Sequence, residues 1–174
     1  MWGSYTDDEK ETVKQQLREQ IQAMRELTLP YIGRINNEPF QSGYDAWRKQ
    51  IGPFKDEKAF DQWCLSRVKG WRNRRRWKAW LEERRALSDG KFALTHGNLS
   101  QENILVEGTQ ITGILDWEAS AFLPTYAEYI IATELPRKRD EEWLEVMKEV
   151  LEPCDEERVE FSNLVKDMSF RKFV

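Results

Sequence analysis

The chain of 174 residues is 40% apolar, enough to fill one core without material for a second, so a single domain over residues 1–174 is expected. Its 27 basic and 31 acidic residues leave a net charge of -4, which excludes a whole-chain attraction to nucleic acid or to an anionic membrane. Cys64 and Cys154 are too few and too far apart for a disulfide framework or a metal cluster, and no apolar run approaches a membrane span, so a reduced, cytoplasmic setting is expected.

Thr6 and Glu9 have the spacing of a capping box, and Val13, Leu17, Ile21, Met24 and Leu27 recur every three or four residues, which predicts an amphipathic helix over residues 7–27. Pro30 ends it. Residues 30–53 hold Gly33, Asn36, Asn37, Pro39, Gly43 and Pro53, turn formers without a sustained period, and read as an ordered loop with room for a short hairpin. Phe60, Trp63 and Cys64 suit a helix over 56–68, and Trp77, Trp80 and Leu81 another over 71–87, closed by Ser88-Asp89-Gly90.

The pattern then changes to strands over 92–95, 103–106 and 110–115, with Gly108-Thr109 as the turn between the last two. After Pro124 it returns to helix over 126–135, 141–151 and 155–165. The fold class is mainly α with a small β-hairpin element (α+β). Arg72, Arg74, Arg75, Arg76 and Lys78 among Trp71, Trp77 and Trp80 have the composition of a platform for single-stranded nucleic acid. The simpler reading is a helix with buried rings and with arginines in solvent or paired with Glu82 and Glu83, and no nucleic-acid or membrane partner is expected.

The chemistry lies in Thr95-His96-Gly97-Asn98-Leu99-Ser100-Gln101-Glu102-Asn103-Ile104-Leu105-Val106 and in Ile114-Leu115-Asp116-Trp117-Glu118. Phosphoryl transfer from a nucleotide needs a group that orients or deprotonates the acceptor hydroxyl, and oxygen ligands that hold magnesium on the phosphates. The first segment resembles the His-Gly-Asp, four residues, Asn loop of aminoglycoside phosphotransferases and choline-kinase-like enzymes. The second resembles their Ile-Asp-Trp-Glu metal segment. Tyr126-Ala127-Glu128 after Pro124 extends the likeness, as does Trp2 with the first helix, where fungal members carry a similar run, so that it covers almost the whole chain.

The resemblance implies the C-terminal lobe of a kinase-like fold, with His96 and Gly97 shaping the loop, Asn103 and Asp116 as magnesium ligands, and Trp117 and Glu118 securing the following segment. It also implies two departures. Asn98 stands where the family has its catalytic aspartate, and a neutral amide can hydrogen-bond to a hydroxyl but cannot take its proton. No segment of the sequence reads as the glycine-rich loop and lysine-bearing strand of a nucleotide-gripping N-terminal lobe.

Asn98, His96 and Asp116 therefore form the candidate catalytic set, with His96 favoured as a loop holder over an acid or base. Asp116 is balanced between bridging the hairpin and meeting a cation or polar ligand. Glu118 and Glu128 are expected to be structural. No cofactor is expected beyond a vestigial magnesium site at Asn103 and Asp116.

The leading expectation is a degenerate family member without ATP-dependent phosphoryl transfer, which binds a small molecule through the former cleft floor or covers that floor with a protein partner or a second copy of itself. One alternative is a nucleotide-independent enzyme that performs proton transfer or cyclisation on an apolar metabolite. Another is a piece, or an inactivated form, of a small-molecule kinase.

Overall fold

In the computed structural model, which describes residues 2–44, 49–135 and 140–166, a short 3-10 turn at Trp2–Ser4 leads into α1 (Asp7–Arg25). The capping box forms in full: the Glu9 amide donates to Thr6 Oγ1 at 3.3 Å, and the Thr6 amide donates to the Glu9 carboxylate at 2.8 Å. Val13, Leu17 and Ile21 are buried along one face. The helix ends before Leu27 because the chain is drawn into a strand. Thr28–Leu29 (β1) pairs antiparallel with β4 (Phe92–Thr95), Thr28 opposite Ala93, and the Leu94 amide donates to the Leu27 carbonyl.

The turn-rich stretch that follows does contain a hairpin, β2 (Phe40–Gln41) against β3 (Gln50–Ile51), with residues 45–48 between them outside the described residues. It packs through Phe40 and Phe54 towards α2 (Glu57–Arg67), where the Phe54 and Phe60 rings meet edge-on at 5.4 Å. Asp56 caps α2 by accepting from the Ala59 amide at 2.8 Å. In α3 (Trp71–Arg85), Trp77 and Leu81 are buried, while Trp71 at the helix start is 64% exposed. Its rings are thus not all turned inward as the sequence suggests.

β4 is the middle strand of a three-stranded antiparallel sheet. β1 lies on one side and β7 (Ala121–Leu123) on the other, with Thr95 opposite Ala121. Between β4 and β7 the chain forms the hairpin of β5 (Ile104–Glu107) and β6 (Gln110–Ile114), turning at Gly108. The remaining helices are α4 (Ala127–Thr133), α5 (Glu141–Val150) and α6 (Glu156–Val165), the last two capped by Asp140 and Asp155. The observed class is the expected one, mainly α with small sheets.

Two apolar cores flank β4 and the loop after it. One joins α2, α3, α4 and α6 to the sheet through Phe60, Trp77, Phe92, Phe122, Ile130 and Phe161. The other joins α1, α5 and the β5–β6 hairpin through Leu17, Ile21, Leu99, Ile111, Trp143 and Met147. Each large side chain buried this way stabilises the fold by about 1.5–3 kcal/mol, so the loop after β4 is pinned from both sides. No helix among the described residues is long and apolar enough to cross a membrane.

Candidate functional site

β4 delivers Thr95 and His96, both fully buried, to the turn at Gly97. Gly97 has φ 77°, and a Cβ there would sit 3.0 Å from the Ala119 carbonyl oxygen, so a side chain is excluded on conformational and steric grounds together. The turn aims two consecutive amides at one carboxylate: His96 N donates to Glu128 Oε2, and Gly97 N donates to Glu128 Oε1 at 3.0 Å. Glu128 lies fully buried on α4. Burial pushes its carboxyl above the usual range, opposed by the two amides and by the charge of Arg25.

The His96 ring ties the loop to the end of the hairpin. Nε2 lies 2.9 Å from the Leu115 carbonyl, and Nδ1 accepts from the Asn98 amide at 3.2 Å. A carbonyl can only accept, so Nε2 carries the proton and the ring is the neutral tautomer that satisfies both contacts. Burial lowers the His96 pKa, against the Leu115 carbonyl and the charge of Asp116. Trp117 packs edge-on against the ring at 4.6 Å and is itself held by a 2.7 Å bond from Nε1 to the Ile114 carbonyl. With both nitrogens engaged, the ring acts as a structural clasp.

Asn98 and Asp116 meet across this clasp. Asn98 Nδ2 donates to Asp116 Oδ2, while the Asn98 carbonyl accepts from Ser100 N at 2.8 Å and from Asn103 Nδ2 at 2.9 Å. The Asn103 carbonyl in turn accepts from Leu115 N at 2.8 Å. Asp116 adopts the left-handed conformation (φ 64°, ψ 55°), which aspartate tolerates better than most residues, and so turns the chain from β6 into the 3-10 turn Trp117–Ala119. All four residues singled out in the sequence, His96, Asn98, Asn103 and Asp116, thus belong to one connected network. Glu118 sits exposed on the turn beyond it.

Two features of the site escape sequence reasoning. Trp143 of α5 donates from Nε1 to the Leu99 carbonyl at 2.8 Å, a contact across 44 residues that no local pattern announces. The outer face of the hairpin is the second. Leu105 pairs opposite Gly113, and Leu105, Leu115 and Trp117 are 43%, 47% and 39% exposed, an apolar step beside Asp116, while Ile104 is buried. The period-2 alternation of Ile104, Leu105 and Val106 carries that signal.

The Asn103 side-chain oxygen and the Asp116 carboxylate are hard oxygen donors of the type magnesium prefers. Asn103 spends its amide nitrogen on Asn98, which leaves its oxygen for another partner. Two protein donors fall short of an octahedral set, and among the described residues no group of three His, Cys, Asp or Glu is placed to hold a metal ion. The pair fits magnesium only where phosphate oxygens and water supply the rest.

The family model of the APH phosphotransferase enzyme family matches residues 8–161, from α1 into α6. That span includes every residue of the network just described, and the chain belongs to this kinase-like phosphotransferase family. No curated protein and no solved structure matches it.

Proposed function

We propose that this chain is a degenerate phosphotransferase-family lobe that binds a ligand at the former phosphotransfer face and does not transfer phosphate. The observation that carries the reading is Asn98, at the position where the family resemblance has its catalytic aspartate, with its amide donated to Asp116. An amide has no basicity to take the proton of an attacking hydroxyl, and loss of a positioned base costs on the order of 10²- to 10⁴-fold in rate. The same bond engages one oxygen of Asp116, and the other with the Asn103 oxygen makes a pair too small to hold magnesium without well-held phosphates. The reading of a nucleotide-independent proton-transfer enzyme draws no support from His96, whose two nitrogens are both committed to backbone groups.

The ligand surface is the apolar step of Leu105, Leu115 and Trp117 beside the Asp116 carboxylate. It suits a flat small molecule with a polar edge, and a protein partner or second copy of the chain buries the same step. Thermal shift tests the reading, because a ligand that binds only the folded state raises Tm by mass action. A panel of aromatic metabolites should contain compounds that raise Tm, and Trp117→Ala should lose the effect. Magnesium-ATP at micromolar concentration should leave Tm unchanged; stabilisation by it at that level overturns the proposal.

A further inference from the structure

A second polar centre lies at the opposite end of β4, beside Phe92. Arg158, in the first turn of α6, is 5% exposed, and its guanidinium is clasped by rings: its central carbon lies 3.8 Å from the ring centre of Tyr126, 4.6 Å from Trp80 and 5.9 Å from Phe161. Rings cover the faces of a planar cation and leave its edge, where all five N–H donors point. No hydrogen bond or ion pair joins that edge to a described residue. The nearby carboxylates are engaged elsewhere, Asp61 with Arg85, and Asp155 with Arg84 at 3.0 Å and with the Arg158 backbone amide at 2.8 Å. A buried cation without a hydrogen-bond acceptor is costly, and the fold holds this one in place by stacking and by the more distant charges of Asp61 and Glu57.

Arg158 lines an open cavity of about 500 Å³. Phe92, Pro124 and Pro153 give it apolar walls, and the carboxylates of Glu57, Asp89, Glu152 and Asp155 stand around it beside the cations of Arg84 and Lys91. With these acids set against Arg84, Lys91 and Arg158, the lining has no excess of positive charge for a dianion such as phosphate, while the arginine edge suits a carboxylate, which it grips through two parallel N–H···O bonds. One ligand class meets both demands. We propose that this cavity binds a small zwitterion of the α-amino-acid type, with its carboxylate on the edge of Arg158, its ammonium towards the acidic groups and its side chain against Phe92 and the prolines. The site is independent of the phosphotransfer face, since Phe92 and His96 leave β4 at opposite ends.

Three probes separate the contributions in the wild-type chain: L-phenylalanine, 3-phenylpropanoate without the ammonium, and phenethylamine without the carboxylate. At about 10 mM, phenylalanine should raise Tm by about 3 °C and shift the Arg158 Nε–H signal in a ¹H–¹⁵N NMR spectrum, with a smaller effect from phenylpropanoate and none from phenethylamine. Arg158→Lys keeps the charge and loses the fork, and it should abolish the phenylalanine shift. Should that variant fail to fold, Glu57→Gln with Glu152→Gln should narrow the gap between phenylalanine and phenylpropanoate. The proposal is overturned if the Arg158 signal stays still under phenylalanine, or if phenethylamine stabilises as well as phenylalanine does.

Discussion

The two ends of β4 place buried polar groups in opposite circumstances. At the His96 end the network is nearly closed: the Glu128 carboxylate takes two backbone amides, both His96 nitrogens are engaged, and Asn98 bridges Asp116 and Asn103, with the Ser100 hydroxyl left over. At the Phe92 end the Arg158 edge has no acceptor among the described residues, and Asp61 Oδ1 is buried without a hydrogen bond. A completed network is rigid and holds a shape; an incomplete one stores interaction free energy for a ligand or a proton. Under the proposed function the family's catalytic loop serves here as scaffold, while the unsatisfied chemistry of Arg158 and Asp61 sits behind it.

The largest effect is expected from breaking the His96 end. Glu128→Ala leaves the His96 and Gly97 amides buried without an acceptor, at about 1–3 kcal/mol each, and opens a cavity. Chemical denaturation should show a loss of about 3–5 kcal/mol, and Glu128→Gln, with one acceptor oxygen, roughly half of it. Equal stability of Glu128→Ala and wild type would mean that the loop is held by something other than this carboxylate.

A smaller effect sharpens the contrast from the other end. Burial pushes the Asp61 carboxyl up to about 6 from 3.8, only partly offset by the bond from Arg85. A raised carboxyl pKa means that the folded state binds the proton more tightly. Its contribution is therefore fully present below pH 3.8 and is lost as pH rises through 6, on the order of 2–3 kcal/mol in all. His96 works in the opposite sense: its lowered pKa gives stability above the ordinary imidazole value that is lost as pH falls below it. Urea melts at pH 4.5 and 7.5 should show that Asp61→Asn removes a stabilisation the wild type gains on acidification. An unchanged pH profile in that variant would place Asp61 in a wetter setting than its 1% exposure indicates.

Much of this was legible in the sequence, and the limits have physical causes. The capping box of α1, the helices with regular apolar spacing and the hairpin around Gly108 follow from local rules, and they appear within a residue or two of the expected bounds. His96, Asn98, Asn103 and Asp116 were singled out by the family resemblance of their two motifs, and the structure joins them because those motifs lie on one loop and one hairpin. β1 and β7 were not. Two or three residues carry no periodicity, and both exist only because β4 offers its edges. Arg158 was hidden for a similar reason. Between Glu157 and Val159 at the start of a helix it reads as a solvent-facing arginine, and only Trp80 from α3 and Tyr126 from the approach to α4 enclose it.

The most direct test of the account is ³¹P NMR of the wild-type chain with magnesium-ATP and a hydroxyl acceptor, an aminoglycoside in one sample and choline in another. With Asn98 as an amide bonded to Asp116, no phosphorylated product or ADP should appear above the protein-free control over hours. Protein-dependent product above that control would contradict the account, and turnover at about 1 s⁻¹ or faster would restore the chain to the working members of its family.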